Sequence, residues 1–394
     1  NPPWTRIVSS NWGGSTANLG DDPTFRSLDT INPGLVNAVA GVGPNTAFNA
    51  VSEDFRPPES WQWNATISRE LMPNTVLEAS YIGNRASHIW RRGINFNDVV
   101  PSARLAIAQA LRNNQDTAAL IADNRRFPGL GPITMSESTG DSSYHGLQVY
   151  LNRRFSNRLS FSASYTLGHS ITNVPLQSFL SSTTDPFNYD LDRGDADLDR
   201  RHMFIFNAVY YLPSFTRWGS AMNQVLGDWQ FNVIGTFLGG LPIEVQSGAN
   251  TGGLAANAPG GFRPDLVEGV PIYLENSGDR TAYLNPAAFA LPAAGRFGNL
   301  GRGAIRAPGS QNIDFSVAKN WRMGERYGLQ FRAEMFNAFN RPNLLFNSAG
   351  TNFNLAFQNN AADPNFGRPT NPNFGRLDQS RGPREMQFGL KFTF

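Results

Sequence analysis

The sequence predicts an all-β protein whose antiparallel strands carry apolar side chains on one face and polar side chains on the other. Three observations support this: segments that alternate with period two, connections that alternate in length, and a composition suited to turns. The 394 residues include 38 Gly, 26 Pro and 29 Phe, and only 16% are charged. Abundant aromatic and turn-forming residues are typical of many short strands joined by loops.

The alternating segments define nine strands. In RLSFSASYTLG, the apolar or aromatic residues Leu159, Phe161, Ala163, Tyr165 and Leu167 occupy every second position, a pattern that a helix does not produce. The last eleven residues, REMQFGLKFTF, repeat this alternation. The other predicted strands lie in 61–70, 75–83, 144–155, 201–212, 228–240, 311–320 and 328–339, and a possible tenth lies near 3–10.

The connections between these strands alternate in length. Short ones span 71–74, 156–157 and 321–327, and 213–227 is of moderate length. Long ones span 84–143, 171–200, 248–310 and 341–383. Counted back from a periplasmic C-terminus, every short turn falls on the periplasmic side and every long loop outside, as in outer-membrane barrels. No apolar run reaches the roughly 18 residues of a spanning helix, so we predict an antiparallel transmembrane β-barrel.

The first long loop contains one helical pattern, over residues 102–126. Good helix formers fill this stretch, and Pro128 and Gly129 follow it. A membrane-surface helix is conceivable here, but a small helix packed on the loop is the simpler prediction.

Several stretches resemble the TonB-dependent receptors of the outer membrane, in particular their Oar-like branch, which is common in acidobacteria. They include DLDRGDADLDRRHMFIFNAVYYLP (190–213), GDWQFNVIGTFLGGLPIEVQSG (227–248), LQFRAEMFNAFNRPN (329–343), and the segments 284–321 and 374–394. The resemblance implies a barrel of about twenty-two strands that encloses an N-terminal plug. Residues 1–394 are then expected to be the C-terminal part of that barrel, without the plug or the N-terminal regulatory-like domain.

The resemblance also implies a function. It suggests active uptake of a nutrient or macromolecular ligand across the Gram-negative outer membrane, with no cofactor and no enzymatic activity. The expected partners are outer-membrane lipid, the TonB complex through the missing N-terminal region, the outer-membrane assembly machinery and an unknown transported ligand. A passive porin-like channel, a surface adhesion barrel and a secreted soluble β-protein with sugar-binding loops are the alternatives. Scattered basic residues make nucleic acid an unexpected partner.

Two sets of site residues follow. By resemblance, the assembly machinery reads the apolar side of the last strand, formed by Met386, Phe388, Leu390, Phe392 and Phe394. Gln330, Arg332 and Glu334 are expected to face the lumen, where they could line a substrate path or hold the plug.

The loop DPFNYDLDRGDADLDRRH (185–202) concentrates charge. Its carboxylates are Asp185, Asp190, Asp192, Asp195, Asp197 and Asp199, with Arg193, Arg200 and Arg201 among them. Calcium binding is possible for such oxygen-rich loops, but the spacing is not that of an EF-hand. Pairing between arginine and aspartate is the more economical prediction. The four histidines lack metal-ligand spacing, and the chain has no cysteine.

Overall fold

The computed structural model describes residues 48–174, 183–255, 262–275, 278–323, 326–347 and 350–394. In chain order, its strands are β1 (Phe48–Val51), β2 (Glu59–Met72), β3 (Thr75–Asn95), β4 (Ile133–Ser156), β5 (Leu159–Thr172), β6 (Gly194–Asp195), β7 (His202–Tyr211), β8 (Trp229–Leu238), β9 (Pro242–Ile243), β10 (Asp265–Leu266), β11 (Phe289–Ala290), β12 (Ile305–Arg306), β13 (Ser310–Met323), β14 (Tyr327–Phe336), β15 (Leu344–Leu345), β16 (Gln379–Ser380) and β17 (Glu385–Thr393). The nine predicted strands are all present. The possible strand near 3–10 lies outside the described residues.

The nine long strands form one antiparallel sheet. Their order is β2-β3-β4-β5-β7-β8-β13-β14-β17, so each strand pairs with its neighbour along the chain among the long strands. Two short strands extend the sheet, β1 running parallel to β4 and β6 pairing with β5. In the described part of the chain, β2 and β17 are the two edges and do not pair with each other. The sheet is therefore an open arc, consistent with part of a barrel wall.

The first long connection is shorter than predicted. β3 continues to Asn95 and β4 begins at Ile133, so the loop spans 96–132 and not 84–143. The prediction was wrong because the register shifts repeatedly between Ala86 and Ile94, which interrupts the alternation on which it relied. Since a membrane-spanning strand needs roughly 9–11 residues, β3 and β4 project beyond the membrane as a hairpin.

The short turns depend on residues that tolerate a left-handed backbone. Asn74 has φ +66° between β2 and β3, and Asn157 and Arg158 have φ +48° and +68° between β4 and β5. Asparagine adopts this conformation more readily than most residues. Each turn reverses the chain within two residues, which places them at the periplasmic rim, as the loop lengths predicted.

The predicted helix at 102–126 is split in two. A single 3-10 turn (Pro101–Ala103) leads into the helix Arg104–Arg112, and a second helix covers Ala118–Asp123. Ile107 and Ala108 are buried, so the first helix packs on loops as predicted. A third helix, Ser220–Leu226, lies between β7 and β8. Further 3-10 turns cover Tyr189–Asp192, Thr216–Trp218, Pro286–Ala288 and Thr351–Phe353.

No helix among the described residues has the length and apolar character needed to cross a membrane.

The largest buried apolar cluster lies in the long loops and not against the sheet. Two loops supply it, the β8–β13 connection (239–309) and the β14–β17 connection (337–384), and we call their described residues the loop cap. The buried members are Val245, Leu284, Ala288, Phe289, Leu300, Ile305, Leu355, Phe357 and Phe374. The long external loops thus carry a packed core of their own, while most of the apolar face of the sheet is left uncovered by the described residues.

Candidate functional site: the polar inner face and the loop cap

One face of the sheet is mostly polar from edge to edge. The strand register places the polar residues of each strand beside those of the next. Several bond across strands: Thr66 with Ser80 (2.9 Å), Asn207 with Ser162 (2.7 Å) and Asn232 with Ser316 (2.8 Å). In a membrane barrel, the polar face turns toward the lumen. The polar face is therefore the candidate lining of a transport path through the lumen.

The predicted lumen residues Gln330, Arg332 and Glu334 lie together on this face of β14. The side chains of Arg332 and Glu334 approach to 3.5 Å and remain 53% and 31% exposed. Gln330 donates to the Asn320 side chain at 2.8 Å. Arg332 faces Gly389 of β17 across the strand pair, so no side chain of that strand lies directly opposite it.

The residues predicted as an assembly signal lie on the opposite face, which is apolar. Across the β14–β17 pair, Phe388 faces Ala333, and Leu390 faces Phe331. Phe388 is 74% exposed and Phe394 is 87% exposed. A soluble protein would cover such a stripe with a second layer, whereas hydrocarbon covers it in a membrane. The stripe therefore marks the lipid-facing side of the sheet.

The acidic loop is held by arginines, as predicted, although most of them come from other segments. Arg104 binds Asp185 with two parallel hydrogen bonds of 2.9 and 2.6 Å. Asp192 is buried beside Arg91 at 3.6 Å, and the Thr184 hydroxyl and amide donate to its carboxylate. Arg91 and Arg104 both precede this loop by more than 75 residues. These contacts fix the acidic loop against the β3–β4 hairpin and the Arg104–Arg112 helix.

A second cluster joins the acidic loop to the loop cap. Arg306 pairs with both Asp195 and Asp199, and Arg201 binds the same two carboxylates at 3.1 Å. His169 adds a hydrogen bond of 2.9 Å to Asp195. Burial acts to raise the pKa of Asp195, but the hydrogen bonds from His169, Arg306 and Arg201 outweigh it and hold that pKa below its ordinary value.

A third cluster surrounds Glu244, on the β8–β13 connection. The Glu244 carboxylate lies 3.7 Å from Arg302 and 3.8 Å from Arg263. Burial raises the pKa of Glu244 despite both guanidiniums. Arg302 also binds Asp197 at 2.6 Å, and Arg263 donates to the Leu191 carbonyl oxygen at 2.5 Å. Each arginine thus spans from the loop cap to the acidic loop.

In these pairs, arginine guanidiniums bind most of the carboxylates of the acidic loop. Of the three arginines expected to pair within the loop, Arg201 does so, and Arg200 donates to the Gly239 carbonyl oxygen at 2.6 Å. Within the described ranges, no group of three or more acidic or histidine side chains is arranged to hold a metal ion. The carboxylates of the acidic loop and the guanidiniums of these arginines therefore neutralise each other's charge in a partly buried site.

Sequence reasoning missed Arg91, Arg263, Arg302 and Arg306. A repeated motif was one available signal for the loop cap: DPNFGR (363–368) and NPNFGR (371–376). Both copies form the same turn, with glycine at φ +76° and +71°. Phe374 of the second copy is buried against Phe289, whereas Phe366 of the first is 39% exposed.

An arc of antiparallel strands with one lipid-facing face and one polar face defines part of a transmembrane β-barrel wall. The chain belongs to the outer membrane beta barrel domain family, whose profile matches residues 1–387. The protein is accordingly located in the outer membrane of Gram-negative type. No curated protein sequence matches the chain.

Solved structures with similar folds include one outer-membrane transporter and two receptors. The transporter YddB from Escherichia coli shares 9% identity at a TM-score of 0.43, with 90% of this chain and 35% of that chain covered. The ferric enterobactin receptor PfeA from Pseudomonas aeruginosa shares 10% (TM-score 0.39; 88% and 32% covered). The siderophore receptor PirA from Acinetobacter baumannii shares 10% (TM-score 0.38; 90% and 35% covered). The chain spans about a third of the length of these proteins.

Proposed function

We propose that residues 1–394 form the C-terminal part of the barrel of a TonB-dependent outer-membrane transporter of the Oar-like type. The observation that carries the proposal is the open arc of nine strands with a polar inner face. Unpaired strand edges are not stable in hydrocarbon, so β2 and β17 need further strands to close the wall. The result is a barrel wider than nine strands, with a lumen that requires water or a plug.

The ordered loop cap supports a receptor function. Passive pores do not need a packed apolar core in their external loops, whereas a receptor needs a surface of fixed shape to recognise its ligand. Here the core and three arginine clusters hold the loops in one arrangement. The sequence stretches that resemble TonB-dependent receptors, 190–213 and 284–321, include most of the acidic loop and the Arg302–Arg306 region.

On this proposal, the inner-face residues Gln330, Arg332 and Glu334 hold a plug domain, or line the path that opens when the plug moves. The alternating residues from Met386 to Phe394 serve as the signal for membrane assembly. The cargo is a nutrient or macromolecular ligand that binds on the extracellular side, and energy comes from the TonB complex.

Electrical recording distinguishes this proposal from a passive channel. The intact protein is inserted into planar lipid bilayers, and its conductance is measured before and after mild denaturant that releases a plug. A plugged transporter is closed at first and opens reversibly on treatment. A steady conductance from the start would contradict the proposal and favour a porin-like channel. An adhesion barrel with a filled lumen would stay closed throughout.

A further inference from the structure

The helix Ser220–Leu226 lies on the lipid side of the barrel at its periplasmic rim. Three donors hold it there. Trp229 donates from its indole nitrogen to the Val225 carbonyl oxygen at 2.8 Å, and Trp321 donates to the Gln224 carbonyl oxygen at 2.9 Å. Lys319 donates to the Gly227 carbonyl oxygen. These contacts satisfy carbonyl groups that the end of a helix leaves without partners.

All three donors project from the apolar face of the sheet. The register pairs Lys319 with Trp229 across β13 and β8, and Trp321 with Leu329 across β13 and β14. These positions share their face with Phe231, Phe315 and Val317, which belong to the lipid-facing band. The helix that they hold is therefore outside the lumen, beside the lipid.

Three of the described exposed residues of the helix are apolar and lie on one side of it. Met222, Val225 and Leu226 are 44%, 62% and 37% exposed. They occupy positions i, i+3 and i+4, which share one side of a helix. Water is a poor environment for such a face. The helix that carries it is bonded to Trp229, Lys319 and Trp321 of the lipid-facing band.

Lys319 fits a membrane boundary. Its side chain is almost fully buried, and its ammonium lies 5.6 Å from the Trp229 ring and 5.8 Å from the Trp321 ring. A lysine stem can cover apolar surface while its ammonium reaches polar groups at the boundary, and tryptophans are enriched at the same depth. The group formed by Lys319, Trp229 and Trp321 thus marks the depth at which hydrocarbon ends and the headgroup region begins.

We propose that the helix Ser220–Leu226 inserts its Met222–Val225–Leu226 face into the periplasmic leaflet of the outer membrane, so that phospholipid covers it. The helix lies in the plane of the interface and anchors the β7–β8 connection. This inference depends on the orientation of the barrel and not on its cargo or energy source. An experiment can therefore refute it without refuting the proposed transport function.

Site-directed spin labelling tests this directly, because these 394 residues contain no cysteine that would compete for the label, and any cysteine elsewhere in the protein is first replaced by serine. The full-length protein carrying Val225→Cys is labelled and reconstituted in vesicles of phosphatidylethanolamine and phosphatidylglycerol. We expect the label to collide more with oxygen than with a water-soluble nickel chelate. The matched control is Gln224→Cys, on a polar position of the same helix, where the preference should reverse. Equal access of the nickel chelate to both labels would overturn the proposal.

A second variant tests the contacts that hold the helix. Trp321→Phe keeps an aromatic ring at the boundary but removes the donor to Gln224. In this background, we expect the label at Val225→Cys to become more mobile and more accessible to the nickel chelate, while heat-modifiable migration on gels confirms a folded barrel. An unchanged label in a folded Trp321→Phe protein would refute the role of these hydrogen bonds.

Discussion

Replacing Arg302 with methionine should loosen the loop cap without unfolding the barrel. Arg302 is 4% exposed, and its guanidinium binds Asp197 at 2.6 Å and lies 3.7 Å from Glu244. It also donates to the carbonyl oxygens of Thr172 and Asp192, each at 3.3 Å. Methionine retains most of the side-chain volume but none of these bonds. Two carboxylates and two carbonyl oxygens then lose a partner in one step.

The size of the effect follows from burial. Removing one partner of a buried ion pair costs about 3–5 kcal/mol. Because Asp197 and Glu244 retain 27% and 29% exposure, the lower end applies, and solvent compensates part of their lost charge partner. We therefore expect the free energy of cap opening to fall by about 3 kcal/mol, which raises the open fraction by about 100-fold.

Limited proteolysis of the protein in outer membranes measures this fraction. When the cap recloses faster than it is cut, the cleavage rate is proportional to the open population. The control is Arg296→Met, since Arg296 is 62% exposed and pairs with Asp265 at 3.2 Å. An exposed pair contributes less than about 1 kcal/mol, so cleavage should rise less than about fivefold. Equal cleavage of the two variants would refute the argument from buried charge.

Three further predictions use the same protein. The pKa of Asp195 lies below its ordinary value of 3.8, so its stabilisation of the cap is present above that pH and is lost as the pH falls through the lower folded value. The protection factors of cap amides in hydrogen exchange, which correct for the intrinsic pH dependence of exchange, should therefore fall in acid, and fall less in Asp195→Asn. Gly240→Ala should increase cleavage of the cap because its Cβ would lie 1.6 Å from a backbone carbonyl oxygen, whereas Gly382→Ala, with nothing within 4 Å, should not. Phe394→Ser should reduce the yield of folded, heat-modifiable barrel in the membrane, and Phe339→Ser, at another exposed phenylalanine, should leave it unchanged.

The sheet could be predicted from the sequence because its pattern is local. A strand between lipid and lumen must alternate at every residue, so segments such as Leu159–Leu167 reveal both the strand and its faces. Where the strands leave the membrane, this constraint ends. The bulged part of β3 after Ala86 then follows no period, and the prediction failed there.

The loop cap could not be predicted, because its contacts are distant in sequence. Arg302 and Asp197 are separated by 105 positions, and Arg306 and Asp195 by 111. Contacts between residues so far apart leave no periodic pattern in the sequence from which they could be predicted. The acidic residues predicted that arginines would bind the loop, yet only the folded chain identifies which ones.

The arginine clusters also determine which parts of the protein can move independently. The cap core comes from the connections after β8 and β14, but Arg302 and Arg306 of the cap bind carboxylates between β5 and β7. β5 and β13 are three strand steps apart in the sheet, or about 14 Å. The loop cap is therefore attached to the sheet at two places, near β5 and near β13. The strands between these places cannot separate without breaking the hydrogen bonds of the sheet. Displacing the loop cap as a whole would separate Arg302 from Asp197 and Arg306 from Asp195 and Asp199 together. The loop cap and strands β5 to β13 are thus linked through these pairs, and the Arg302→Met experiment measures the cost of removing one of the links.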